Sequence, residues 1–168
     1  AILVFLMQAG FMCLEAGCTR NKNNINTALK NICDFGICML AFWACGYGLM
    51  FGNSLSGFVG TSDFLFLSKS PQAGAWFIFQ AGFCGAAITI VSGAVAERLK
   101  FSMYLVISVI GAIFLYPLVG HWIWNDSGWL SQLGFIDFAG STAVHSLGGA
   151  IALAGVIILG PRTGRFRE

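Results

Sequence analysis

The chain has 168 residues, of which 57% are hydrophobic and only 10% charged, with a formal net charge of +2. An average soluble domain carries roughly 25% charged residues, and the mean hydropathy of +0.80 agrees that this chain is embedded in lipid. The small charge and the lack of a basic stripe interleaved with aromatics exclude nucleic acid as a partner. The six cysteines lie in or beside apolar runs without the paired C-x-x-C spacing of zinc or redox sites, and read as small packing residues.

A bilayer core about 30 Å thick takes about 20 apolar residues of helix, and the sequence predicts five such runs. The first, about 1–17, has no charged leader and no A-x-A cleavage site; it is short, as a span would be whose start lies upstream. The second covers about 30–52 and is interrupted by Asp34, the third about 72–96, the fourth 101–124 and the fifth 138–160. No run alternates with period 2, as barrel strands would, so the expected fold class is all-α, a polytopic bundle of five transmembrane helices. The connections fall at 18–29, 53–71, 97–100 and 125–137, followed by the tail from Pro161.

Basic residues gather in cytoplasmic loops. Arg20, Lys22, Lys30, Arg98, Lys100, Arg162, Arg165 and Arg167 share one side of this topology, eight of the nine basic residues, with only Lys69 opposite. The N-terminus is therefore expected outside and the tail in the cytoplasm. An odd number of spans ending in a basic tail is also what one half of an inverted repeat looks like.

Ionisable groups in a span are functional candidates by default. His145 lies eight residues into the fifth predicted span, close to the bilayer centre at 1.5 Å per residue. On a regular helix it shares a face with Ser141, Gly148 and Ala152, a small-residue surface able to line a narrow conduit or to approach another helix. Two readings stand open: an interhelical hydrogen bond, or a neutral imidazole in a dry pore that serves a small polar solute shedding its water. Asp137 opens the same helix and can cap its free N–H groups, or lend its charge to a cation at the pore mouth. At the end of the fourth span, Trp124 stands in HWIW (121–124), either in an interfacial aromatic belt or as a cation–π platform. Phe83 clusters with Phe79 and Gln80 in the third span and is core by default. Glu15 is expected to meet basic loop residues and Asp34 to pair with Lys30 one turn away. The spacings Gly82-x-x-Gly85 and Gly36-x-x-x-Leu40 suggest closely packed helices.

The segment DFAGSTAVHSLGG (137–149) resembles the signature of the ammonium transporter family. MQAGFMCLEAG (7–17) with NKN (21–23), IVSGAVAER (90–98) and HWIW (121–124) agree with it in the expected order. The resemblance covers essentially the whole chain and implies its first five-helix half. It implies a homotrimer in the plasma (inner) membrane, each subunit with its own pore, transporting ammonium or ammonia with methylammonium as analogue. By motif position Trp124 matches the outer recruitment tryptophan and Phe83 one of two stacked phenylalanines. His145 matches the first of two pore histidines and Asp137 the aspartate that organises the outer site. A cytosolic regulatory protein is a further partner to look for; no cofactor or metal is implied, and no enzymatic constellation is present. The second pore histidine and second gate phenylalanine belong to the family's other half, so the sequence reads as a piece of a longer protein. The alternative function is an ammonium sensor, a transporter-like domain coupled to a signalling module. A Rhesus-like gas channel fits less well, because those proteins generally lack the outer tryptophan.

Overall fold

A computed structural model describes residues 1–164. Its helices are α1 (Ile2–Cys18), α2 (Asn21–Phe51), α3 (Pro71–Val95), α4 (101–124), the short α5 (Trp129–Gln132) and α6 (Ser141–Leu159). Helices α2, α3, α4 and α6 are long and apolar enough to cross a membrane, and α1, at 17 residues, is apolar but shorter. The all-α, multi-span reading holds. The start of α3 is set by local signals: Ser70 accepts the Ala73 N–H at 3.1 Å and Pro71 opens the first turn.

Two connections differ from expectation. The stretch 18–29 was expected as a loop, yet α2 begins at Asn21, and the actual turn is only Thr19–Arg20 wide; the polar residues 21–31 continue the helix beyond its apolar part. Within 53–71, Ser54–Leu55 (β1) pairs antiparallel with Val59–Gly60 (β2). Ser56 and Gly57 both take positive φ, 53° and 83°, which closes the hairpin turn.

Helix α3 is the centre of the bundle and packs against α1, α2 and α6. Small residues permit this. A Cβ on Gly82 would lie 2.8 Å from Val4 Cγ1, one on Gly85 2.7 Å from Phe35 Cδ2, and one on Gly148 of α6 2.6 Å from the Ala87 carbonyl. Gly36, expected to do the same, faces open space. The core gathers Cys38, Phe42, Met50, Cys84, Ile88, Tyr116 and Val144. Of the six cysteines only Cys38 and Cys84 are buried there, and Cys13 and Cys18 are exposed. Outward faces carry Leu3, Leu6, Ile32, Leu40, Leu153 and Ile158, the surface a helix presents to hydrocarbon.

The two acids Asp34 and Glu15 find partners other than those expected. Asp34, fully buried, accepts from the Tyr104 hydroxyl at 2.7 Å, the Thr89 hydroxyl at 2.9 Å and Cys38 Sγ at 3.2 Å. Hydroxyls on α3 and α4 can reach the carboxylate without drawing an ammonium into the core. Lys30 instead extends to the helix end, where Nζ donates to the Leu99 carbonyl at 2.9 Å. Glu15 accepts from Asn31 Nδ2 at 2.8 Å and forms no salt bridge among the described residues. Two basic groups gather on Glu97, Arg20 through Nε at 2.9 Å and Arg162 at 3.4 Å, and the Asn23 amide joins them through Nδ2 at 2.6 Å. Arg98 donates to the carbonyls of Ala94 and Gly160, closing the ends of α3 and α6 together. Arg20, Lys30, Arg98 and Arg162 thus share one end of the bundle, while Lys69 sits with Asp63 at the hairpin end. Arg165 and Arg167 lie outside the described residues.

Candidate functional site

At the hairpin end, α3, the end of α4 and the segment 126–138 that leads into α6 line an open pocket of about 380 Å³. One wall follows from a single helical face. Trp76, Phe79, Gln80 and Phe83 recur at i, i+3, i+4 and i+7, and their rings meet in series: Trp76 to Phe79 at 5.7 Å between centroids, Phe79 to Phe83 edge-on at 4.7 Å. Trp124, from the end of α4, continues the series 6.2 Å from Phe83. Its indole is fixed by donation from Nε1 to the Asp137 carbonyl at 2.7 Å.

The end of α4 that carries Trp124 is anchored as well. His121 is buried, with Nδ1 2.8 Å from the Met50 carbonyl and Nε2 2.8 Å from the Ser54 hydroxyl. A carbonyl only accepts, so Nδ1 carries the proton and Nε2 receives the serine hydroxyl. Trp122 Nε1 donates to the Phe58 carbonyl at 2.9 Å and the Trp129 N–H to Gly57 at 3.0 Å. The hairpin is thereby tied to the end of α4.

The other wall begins with Asp137. Its Oδ1 accepts from the N–H groups of Gly140 (2.8 Å) and Ser141 (2.9 Å), and its Oδ2 from those of Thr142 and Ala143 (2.8 Å each). The four free amides that open a helix are satisfied by one carboxylate. Burial acts to raise the carboxyl, but the four donations outweigh it and hold Asp137 below the usual carboxylate value. Gly140 makes the turn: its φ is +85°, and a side chain there would press on Val144 at 2.6 Å and Trp124 at 3.3 Å.

Trp124, Phe83 and Asp137 therefore meet around one cavity, and His145 does not line it. His145 is exposed, with Nδ1 3.1 Å from the Gly140 carbonyl. The expected common face of Ser141, His145, Gly148 and Ala152 is absent: Gly148 and Ala152 are buried beside Val144, while Ser141 and His145 look outward. The cause is the first turn of α6, which is π-helical over Ser141–Ser146, with the His145 N–H bonded five residues back to Gly140 at 3.0 Å. The wider turn rotates the face that a regular 3.6-residue helix would present. Trp76 and Gln80 join the site beyond the residues expected from the motifs, and the i, i+3, i+4, i+7 spacing with Phe79 and Phe83 is the signal in the sequence that marks them.

The pocket combines an aromatic wall with an ionised carboxylate whose charge is shared among amides. It can hold a small cation against a tryptophan face, an attraction worth about 0.5–2 kcal/mol.

A family model described as the Ammonium Transporter Family matches residues 1–168. A protein of Synechocystis named for ammonium transport is 53% identical over 175 residues, covering 98% of this chain and 32% of that protein. Ammonium transporter Amt2 of Archaeoglobus fulgidus is 46% identical, covering 98% of this chain and 37% of its own length. A solved structure titled "Sensor Amt Protein" superposes with a TM-score of 0.94 at 41% identity, over 99% of this chain and 44% of that one. The chain thus spans about a third of the length of these curated relatives.

Proposed function

The chain belongs to the ammonium transporter family, and from that premise we propose that it forms the first five-helix half of a protein that moves ammonium or ammonia across a membrane. The observation that carries this reading is the pocket where Trp124, Phe83 and Asp137 meet. Ammonium is drawn to the pocket by the ionised Asp137 and held over Trp124 by cation–π attraction. The rings of Phe79 and Phe83 strip its water. It releases its proton there and continues as ammonia into a conduit whose wall on this side includes His145, with the exposed imidazole meeting the complementary half, while the proton crosses separately, so that net transport carries charge. Methylammonium is the expected analogue.

In the same reading the hairpin end and the N-terminus face outward, and the end carrying Arg20, Arg98 and Arg162 faces the cytoplasm of the plasma (inner) membrane. The assembly is a homotrimer, and the basic end is where a cytosolic regulatory protein would engage it.

A second reading is an ammonium sensor, and the specific observation in its favour is the likeness to the structure titled "Sensor Amt Protein". Methylammonium uptake into vesicles holding the intact protein separates the two. Transport requires saturable uptake, with a higher half-saturation concentration in Trp124→Leu; binding without uptake supports the sensor.

A further inference from the structure

We propose that Asp126 and Ser131 are the groups that accept hydrogen bonds from ammonium in the pocket at the hairpin end, with Asp126 the chief determinant of its affinity. The inference rests on the ammonium reading given above and deepens it. It assigns recognition of N–H bonds as well as of charge, and so names the solute class as cations that carry N–H groups.

A tryptophan face attracts the charge of ammonium, but its N–H donors also need acceptors, and the polar groups of the pocket differ in what they can still accept. Asp137 is full. Its two oxygens take the N–H groups of residues 140–143 and the Ser141 hydroxyl at 3.2 Å, five donors on a carboxylate that offers about four lone-pair sites. It lends charge to the pocket, and a direct bond to a solute would displace one that opens α6. Gln80 is paired with the Tyr116 hydroxyl at 3.3 Å, a contact that either orientation of the amide permits. The Asp126 carboxylate and the Ser131 hydroxyl line the same pocket. Among the described residues neither has a protein partner, and the one bond that reaches residue 126 goes to its backbone carbonyl.

Exposed aspartates are common; what distinguishes Asp126 is the fixed turn that carries it into an aromatic pocket. Asn125 Nδ2 donates to the carbonyls of Met50 at 3.2 Å and Gly52 at 3.3 Å, and Asn125 Oδ1 accepts the Ser127 N–H at 2.9 Å. The Gly128 N–H returns to the Asn125 carbonyl at 2.8 Å, and Gln132 Nε2 donates to the Asp126 carbonyl at 2.6 Å. The turn 125–128 is thereby fastened to the end of α2 and to α5, which carries Ser131. All of these bonds use the backbone or the side chains of Asn125 and Gln132. The Asp126 carboxylate takes part in none, so its backbone is placed while its oxygens stay free, an arrangement that leaves little to order when a cation binds.

Three variants of the intact protein in proteoliposomes test this through methylammonium uptake. Asp126→Asn removes a charge that holds nothing else in place, so the fold should survive, while the half-saturation concentration should rise about three- to fivefold at low ionic strength. That rise should shrink in about 0.5 M NaCl, where charges are screened. Asp126→Glu keeps the charge and should stay within about twofold of wild type. Ser131→Ala should raise the half-saturation about two- to threefold at either salt concentration, and should leave inhibition by tetramethylammonium, which has no N–H group, unchanged. An unchanged half-saturation in Asp126→Asn, an equal rise in Asp126→Glu, or an equal loss of tetramethylammonium inhibition in Ser131→Ala overturns the assignment. If the wild type takes up no methylammonium, the transport reading fails on its own, and displacement of bound methylammonium by ammonium in the same variants still decides the role of Asp126. Absence of both uptake and binding overturns both.

Discussion

Two carboxylates at opposite ends of the bundle solve the same problem in different ways. Asp137 is satisfied by four amides of its own next turn, residues 140–143. Glu97, on a turn where its φ is +65°, is satisfied by Arg20, Asn23 and Arg162, groups that lie 65–77 residues away in sequence. Its side chain is 3% exposed, and the hydrogen bond from Arg20, followed by that from Asn23, brings its pKa down to about 2. A carboxylate bonded locally builds one wall of a site; a carboxylate bonded across the chain joins segments. Substitutions at the first should therefore change what the pocket does, and substitutions at the second should change how firmly the helix ends are held.

Asp137→Ala offers the largest contrast. It leaves four helix-opening amides without their acceptor and lets Gly140 and Trp124 drift, so ammonium transport should be abolished and stability should fall by about 2–3 kcal/mol. Asp137→Asn keeps one acceptor oxygen and should retain more stability than transport. Thermal unfolding in detergent, set beside vesicle uptake, separates the two losses. Next in size is His145→Ala, expected to lower conduction more than tenfold while assembly and melting temperature stay near wild type. Full conduction in that variant would remove His145 from the conduit. Trp124→Leu should raise the half-saturation concentration about 2- to 30-fold, the range that corresponds to losing about 0.5–2 kcal/mol of cation–π attraction. An unchanged value would leave Trp124 as an interfacial anchor only.

Glu97→Gln should produce the smallest effect on transport and a stability loss on the order of 1 kcal/mol. It also carries a pH signature. Glu97 binds its proton less readily in the folded protein than in the unfolded chain, whose ordinary value is 4.5. Its contribution is therefore complete above about pH 4.5 and declines as pH falls toward about 2. Acid unfolding of wild type and Glu97→Gln should converge across that window; a constant gap would assign the loss to packing instead of charge.

The same contrast between local and distant partners separates what was legible in the sequence from what was not. The spans of α3 and α4 could be read because long apolar runs end at local signals, such as Ser70-Pro71 at the start of α3. The capping by Asp137 was readable for the same reason. The partners of Asp34 were not, because Thr89 and Tyr104 lie 55 and 70 residues away and only the packing of α2 against α3 and α4 brings them close. The Lys30 pairing failed since i, i+4 spacing permits a contact without making it the best one available. The face of His145 was misread because a π-turn at Ser141–Ser146 leaves no plain mark in composition. Trp124, Phe83 and Asp137 were singled out individually, whereas their common cavity depends on Gly140 and on the 2.7 Å bond from Trp124 to the Asp137 carbonyl. Gln80 was not placed because its hydrogen-bond partner, Tyr116, lies 36 residues further on.

The most direct measurement is the electrical response of proteoliposomes holding the intact protein to a jump in ammonium concentration. A sustained current in wild type, lost in His145→Ala and shifted to higher concentration in Trp124→Leu, is the expected result. A brief binding transient, or no current while ammonium still binds, would contradict transport and establish the pocket as a receptor for ammonium alone.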